Sequence, residues 1–110
     1  MPPDLPDGIV IEPVFLVEVP YAPDAPETRP RHRPEHLARI AALRVAGTVI
    51  EAGGCSDFSA AYLIVRAPDA AAVEALIRED VYTRNRVWGE PRVRGYGRVC
   101  RSDEVPGQAG

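Results

Sequence analysis

The stretch TVIEAGGCSDFSAAYLIVR, residues 48–66, decides the fold class. Its two ends are short runs rich in β-branched and apolar residues, which predict consecutive strands over Thr48–Ala52 and Ala60–Arg66. Gly53-Gly54 is expected to end the first of these strands. The connection is expected over Cys55–Ser59. Two strands therefore follow one another with no helix between them.

A helix is expected on each side of this strand pair. The first is predicted over Pro34–Ala46, because proline suits a first helical position and Gly47 suits a C-terminal stop. The second begins after Asp69, a good N-cap residue, and is predicted to reach about Asp80. Residues 81–89 are expected to form a turn or a short extra helix.

Further strands are expected near the two ends of the chain. Val14–Val19 reads as a strand, with Pro13 separating it from an apolar lead-in. A last strand is expected over roughly Pro91–Val99. The segment 20–33 carries four prolines and is predicted to be a loop.

The resulting order, β-α-β-β-α-β, predicts a ferredoxin-like α+β fold with a four-stranded antiparallel sheet. The 110 residues fit a single domain. Its core is expected over about 9–100, with flexible ends at 1–8 and 101–110. Two helices cover only one face of such a sheet, yet both faces of Val14–Val19 and Ala60–Val65 are largely apolar. A homodimer is therefore expected.

Composition excludes several classes of chemistry. All 13 basic residues are arginine, so lysine Schiff bases, pyridoxal chemistry and the lysine of a phosphate-binding P-loop are ruled out. A net charge of −3 argues against a nucleic-acid partner. No export signal or membrane-length apolar run is visible, which predicts a cytoplasmic protein without membrane contact. Cys55 and Cys100 are expected to be unbridged thiols.

Three stretches resemble the YciI-like (YCII-related) family of the dimeric α/β-barrel superfamily. They are RPEHL at 33–37, AGTVIEAGG at 46–54 and AAAVEALIREDVY at 70–82. The resemblance implies a fold similar to muconolactone isomerase and dimeric α/β-barrel monooxygenases, and one known branch is a cofactor-free dehydrochlorinase. It also implies that His36 and Asp80 are the active-site pair. The chain departs from the family where glycine replaces proline at Gly54 and where the family's D-P-F reads D-V-Y.

His36 and Asp80 are the best candidates for chemistry from their residue types as well. An imidazole titrates near neutral pH, and a neighbouring carboxylate fixes its tautomer. A carboxylate ending a helix meets the negative end of the helix dipole, so Asp80 is expected to need a partner. A purely structural hydrogen bond between the two is the alternative.

Arg33 lies one turn before His36 and could clamp a substrate carboxylate or enolate. The alternative is a loop arginine paired with Glu35 or Asp80. Residues 32–36 also spell H-x-x-E-H, a zinc motif that needs both histidines on one helix. Pro34 is expected to leave His32 outside that helix, so no metal site is predicted.

Other side chains are candidates for contact with substrate. Cys55 follows two glycines in a loop and could be an exposed nucleophile or binding residue, or else a bystander thiol. Tyr82 and Trp88 could line a pocket over the sheet, or else pack in the core or at a dimer contact.

The predicted function is that of a small enzyme without a cofactor. His36 and Asp80 would perform general acid–base chemistry next to a carbonyl of a small, anionic organic substrate, as an isomerase, dehydratase or elimination lyase in secondary metabolism or aromatic catabolism. A non-catalytic ligand-binding or accessory subunit is one alternative. A cofactor-free monooxygenase, which needs an electron-rich aromatic substrate, is another.

Overall fold

A computed structural model describes residues 5–107 of the chain. Its helices and strands follow the predicted order, with one added short helix and a final 3-10 turn. In chain order they are β1 (Ile9–Pro20), α1 (Ala25–Ala46), β2 (Val49–Gly54), β3 (Ala60–Val65), α2 (Ala70–Arg78), α3 (Val81–Arg84), β4 (Arg92–Arg101) and the 3-10 turn Ser102–Glu104.

The four strands form one sheet in the order β2-β3-β1-β4, and every neighbouring pair is antiparallel. This arrangement confirms the predicted ferredoxin-like α+β fold. One detail of the prediction is wrong: Gly53 and Gly54 lie inside β2 and pair with Tyr62 and Ala61 of β3. Because β3 supplies the partner for both glycines, the strand continues past the expected stop.

The two faces of the sheet differ in their cover. Val17 and Leu63 are paired neighbours on β1 and β3, and both are buried in the core with α1 and α2. Because side chains alternate along a strand, the next pair, Leu16 with Ile64, points to the opposite face. Tyr62 lies on that helix-free face as well and is 40% exposed.

Residues 25–33 of the proline-rich segment are helical, and their prediction as a loop is wrong. Helix α1 begins at Ala25, nine residues before the predicted start. Pro26, Pro30 and Pro34 are four residues apart and all exposed, so the missing N–H groups fall on one solvent-facing side of the helix. Water can reach the carbonyls left unpaired there, and this lowers the cost of the prolines. Gly47 ends the helix in the left-handed conformation, as predicted.

The strand β1 runs through Pro13, which was predicted to interrupt it. Pairing with β3 begins only at Phe15, whereas pairing with β4 covers Ile9 onwards. Pro13 therefore lies where β1 has a neighbour on one side only. Proline is tolerated on such an edge because no ladder hydrogen bond is lost on the open side.

The second helix was predicted to end at Asp80, and this boundary is also wrong. Helix α2 ends at Arg78, and Asp80 is the N-cap of the short helix α3. Its carboxylate accepts a hydrogen bond from the backbone N–H of Tyr82. Asp80 therefore meets the favourable, positive end of a helix rather than the unfavourable end expected from the sequence.

The chain ends are more ordered than predicted. Arg101 belongs to β4, where it pairs with Ile9, and a 3-10 turn follows it. Predicted flexibility at residues 1–4 and 108–110 lies outside the described residues. Between residues 5 and 107, no helix is long and apolar enough to cross a bilayer.

Candidate active site

His36 and Asp80 are in direct contact. The His36 Nδ1 atom lies 2.8 Å from Asp80 Oδ1, and both side chains are buried. The early start of α1 places His36 in the middle of the helix, where α3 packs against it. The loop that joins α2 to α3 thus brings Asp80 to the imidazole.

Asp80 is held by three donors although it is fully buried. Oδ1 accepts from His36 and, at 2.9 Å, from the backbone N–H of Tyr82. Oδ2 accepts from Arg39 Nη1 at 3.0 Å. Burial alone raises the pKa of Asp80, but the hydrogen bonds from His36 and Tyr82 and the charges of His36 and Arg39 outweigh it and hold the pKa below 3.8. Asp80 is therefore an ionised carboxylate at neutral pH.

The ionised state of Asp80 determines the tautomer of His36. A carboxylate only accepts hydrogen bonds, so His36 Nδ1 must carry the proton that it shares with Asp80 Oδ1. In the neutral imidazole Nε2 then has a free lone pair. Among residues 5–107, no hydrogen bond is made to Nε2. This nitrogen is available to take a proton from another molecule.

Arg39 is a site residue that the sequence analysis missed. It lies three residues after His36 on α1, and its second guanidinium nitrogen donates to the Leu76 carbonyl at 2.8 Å. Arg39 thereby ties Asp80 and the last turn of α2 to one side of α1. The available signal was its spacing, since positions i and i+3 share a helix face.

Aromatic rings enclose the imidazole. Tyr82 stacks on His36 with ring centroids 3.8 Å apart and planes 9° apart, and the Trp88 ring stands edge-on at 5.0 Å. Both aromatic residues are buried. Burial raises the pKa of Tyr82, so its hydroxyl stays protonated at neutral pH. The stacked ring fixes the plane of His36, while Asp80 fixes its rotation within that plane.

His36 opens on a cavity of about 270 Å³ between α1, the end of β2, β3 and the segment after α3. This volume is just below the usual range of ligand pockets, about 300–1,000 Å³, and suits a small molecule. Polar and aromatic side chains line one part, namely Tyr21, Arg29, Arg33, His36, Tyr82 and Trp88. Small and aliphatic residues, including Gly54, Ile40 and Leu63, line the rest.

The structure brings most of the predicted site residues to this cavity. Arg33, Tyr82 and Trp88 line it together with His36. Cys55 does not; it borders a separate, more open depression with Leu16, Tyr62 and Ile64 on the helix-free face.

Tyr21 and Arg29 line the cavity and were not anticipated. Both lie in or beside the segment predicted as a loop, so the sequence analysis assigned them no helix face or strand position. The backbone of Tyr21 pairs with that of Trp88 in an isolated antiparallel β-bridge, and Arg29 belongs to the first two turns of α1.

The two histidines of the H-x-x-E-H motif lie on the same helix, contrary to the expectation that Pro34 would separate them. His32 and His36 both belong to α1. Within residues 5–107, however, no group of three or more histidine, cysteine, aspartate or glutamate side chains is placed to bind a metal ion. His36 Nδ1 is occupied by Asp80.

No protein-family model matches the chain, and no curated protein is significantly similar to it. Among solved structures, the chain resembles the 5-chloro-2-hydroxyhydroquinone dehydrochlorinase TftG from Burkholderia phenoliruptrix AC1100, in complex with 2,5-dihydroxybenzoquinone. The TM-score is 0.63 at 20% identity, covering 74% of this chain and 90% of the other. At this identity the likeness establishes the fold alone, and the fold that it supports is the ferredoxin-like α+β sheet described above.

Proposed function

We propose that this protein is a small enzyme that needs no cofactor and transfers protons next to a carbonyl of a small organic substrate. His36 is the general base and acid, and Asp80 orients it. The reaction is an isomerisation, a dehydration or another elimination. The observation that carries this proposal is the 2.8 Å contact between His36 Nδ1 and the buried, ionised Asp80, on the wall of a cavity.

The proposed step uses the free lone pair of His36 Nε2. That atom takes the proton from a carbon adjacent to the carbonyl, and the electrons of the C–H bond move into an enolate. Asp80 stabilises the imidazolium that forms, since its charge lies against Nδ1. In an isomerisation the imidazolium returns the proton to another carbon. In an elimination the enolate electrons expel a leaving group from the neighbouring carbon.

The structural neighbour favours the elimination among these reactions. By its name, that enzyme removes hydrogen chloride from a chlorinated hydroxyhydroquinone, and its complex holds a dihydroxybenzoquinone. A hydroxylated six-membered ring that carries a leaving group is therefore the first substrate class to test here. A cavity of about 270 Å³ suits a ring of that size.

Proton exchange with solvent tests the proposal directly. The protein is incubated in D2O with a panel of hydroxyquinones, hydroxyquinols and small cyclic ketones, and NMR follows deuterium entering next to the carbonyl. We expect His36→Gln to slow exchange by at least about 100-fold, the lower end of the contribution of general acid–base catalysis. His32→Gln is the matched control, because His32 lies on the same helix without contacting Asp80, and it should exchange like the wild type.

The outcomes separate the proposal from its alternatives. Saturable binding of a ring compound without exchange or turnover would overturn the enzyme proposal and favour a ligand-binding subunit. Turnover that consumes oxygen would favour a cofactor-free monooxygenase. Exchange that survives His36→Gln would remove the imidazole from the mechanism.

We also propose that the protein works as a homodimer. Leu16, Tyr62 and Ile64 form an apolar area on the helix-free face, and no helix of the described chain covers it. Pairing of two such faces would remove this area from water. Sedimentation at micromolar concentration should give twice the 12.0 kDa chain mass for the wild type, and Tyr62→Glu should shift the protein toward the single-chain mass of 12.0 kDa. A stable 12.0 kDa species for the wild type would contradict the dimer.

A further inference from the structure

We infer that the cavity recognises a negatively charged oxygen on its ligand, and that Arg29 and Arg33 are the residues that bind it. The ligand class is a small ring acid, with a carboxylate or a phenolate at one end. The assignment of the other end as the reacting end rests on the proposed function. The recognition of the anion stands on the arginines themselves.

The buried Nε atom of Arg29 lacks a hydrogen-bond acceptor among the described residues. Arg29 lines the cavity. Among residues 5–107, the guanidinium makes no ion pair, and its Cζ atom lies over the Phe58 ring, 4.6 Å from the ring centroid. Phe58 holds the guanidinium plane in place without neutralising it. A buried donor without an acceptor is costly, so an acceptor brought by a ligand would be bound favourably.

Arg33 lies one helical turn further along α1 and borders the same cavity. The carboxylates considered as its partners are engaged elsewhere: Glu35 pairs with Arg84 at 3.2 Å, and Asp80 pairs with His36 and Arg39. Within the described part of the chain, Arg33 forms no ion pair. Two positive charges at positions i and i+4 therefore share one end of the cavity without a protein counterion.

The spacing along α1 orders the cavity from one end to the other. Arg33 and Arg29 lie three and seven residues before His36, which is about 4.5 Å and about 10.5 Å along the helix axis at 1.5 Å per residue. A six-membered ring spans a distance of this size. Its charged oxygen would lie at the arginine end of the cavity, and its far edge would lie near the imidazole. Planar two-donor binding of a carboxylate is the geometry for which guanidinium is suited.

Benzoate and benzamide are the probes that isolate this charge. They share ring and shape, but only benzoate is ionised at neutral pH. Trp88 lines the cavity and is the only tryptophan of the chain, so its fluorescence reports binding directly. Titrations use the full-length wild type, Arg29→Gln, Arg33→Gln and the control Arg31→Gln. Arg31 is exposed on the same helix and does not line the cavity.

We expect the wild type to bind benzoate at least about tenfold more tightly than benzamide. Arg29→Gln should weaken benzoate binding about tenfold and leave benzamide unchanged, Arg33→Gln should act in the same direction, and Arg31→Gln should match the wild type. Equal affinity for the two probes, no saturable response to benzoate, or an Arg29→Gln protein that keeps the benzoate preference would overturn the inference. The proton-transfer proposal fails on a different readout, the loss or survival of deuterium exchange in His36→Gln.

Discussion

Two buried carboxylates, Asp80 and Glu12, lie in different parts of this molecule, and each is held by two basic side chains. Asp80 contacts His36 and Arg39 beside the cavity. Glu12 contacts Arg66 at 2.6 Å and Arg98 at 3.0 Å on the helix-free face. Hydrogen bonds from Arg66 lower the pKa of Glu12, and burial opposes them without reversing the direction. Both groups are thus ionised at neutral pH.

The two sites differ in what their partners can do. Arginine keeps its proton at every physiological pH, so the Glu12 cluster offers no group that accepts one. Its donors are also satisfied, because Arg66 donates to Gly47 and to Glu104 as well. The Asp80 cluster contains a titratable imidazole, and it shares a cavity with Arg29, whose Nε atom has no hydrogen-bond partner among residues 5–107. A buried ion pair by itself therefore does not indicate chemistry, whereas a titratable member on a cavity wall marks a candidate functional site.

The largest expected effect separates these roles by turnover. Asp80→Asn keeps the shape of the side chain but removes the charge that orients His36 and stabilises its protonated form. We expect turnover of any compound that passes the deuterium screen to fall by at least about 100-fold. Glu12→Gln is the matched change at the other carboxylate and should leave turnover within about twofold of the wild type. Equal losses in both variants would contradict the division.

The second prediction concerns stability. Glu12→Gln, which should leave turnover nearly unchanged, should strongly destabilise the fold. It leaves Arg66 and Arg98 without their shared carboxylate, at a cost of about 3 kcal/mol for breaking a buried pair. At about 4–8 °C per kcal/mol, the melting temperature should fall by at least about 10 °C.

The same Glu12→Gln variant gives a pH test. A folded pKa below the ordinary value of 4.5 adds stability that is present above that pH and is lost as pH falls through the folded value. The difference in melting temperature between the wild type and Glu12→Gln should be constant above about pH 4.5. Below that pH the difference should shrink toward zero. A gap that stays open in acid would show that the charge is not its source.

Arg39 should have an intermediate effect, because it positions Asp80 without touching the cavity. Arg39→Gln leaves Asp80 Oδ2 and the Leu76 carbonyl without their donor. We expect kcat to fall about tenfold with little change in KM, since only the orientation of the pair is disturbed. Arg39→Lys, which keeps the charge, should recover part of the loss. A change in KM alone would instead assign Arg39 to binding.

The smallest expected effect comes from the two glycines of β2. A side chain at Gly54 would overlap the Tyr21 hydroxyl at the cavity edge, whereas one at Gly53 would meet nothing within 4 Å. Gly54→Ala should therefore displace Tyr21 and weaken benzoate binding severalfold. Gly53→Ala should bind benzoate like the wild type. Equal binding by both variants would show that the position of Tyr21 does not matter to the cavity.

The order of helices and strands along the chain was predictable because it depends on local patterns of sequence. The two strands within 48–66 and the helix end at Gly47 were predicted correctly from β-branched runs and a single glycine, although β2 continues through Gly53 and Gly54. The pairing of His36 with Asp80 was predicted from residue types and from a family resemblance, whereas its geometry was not. That geometry depends on the early start of α1 at Ala25, which the prolines concealed.

Arg29 and Tyr21 were out of reach for a related reason, because both lie in the segment 20–33, which has no defined face while it is read as a loop. Arg39 lies within the predicted helix, where its spacing from His36 was the one available signal. Arg39 needed the true end of α2 as well, because its second contact is the Leu76 carbonyl. Tertiary packing, rather than propensity, decided both boundaries.

The tautomer of His36 tests the central claim most directly, and it requires no substrate. The chain has two histidines, so long-range ¹⁵N–¹H NMR of the rings, assigned with His32→Gln, resolves His36 alone. At a pH where the imidazole is neutral, we predict the proton on Nδ1, the tautomer that free histidine disfavours, and its loss in Asp80→Asn. A neutral His36 with its proton on Nε2 would leave no base facing the cavity and would contradict the account.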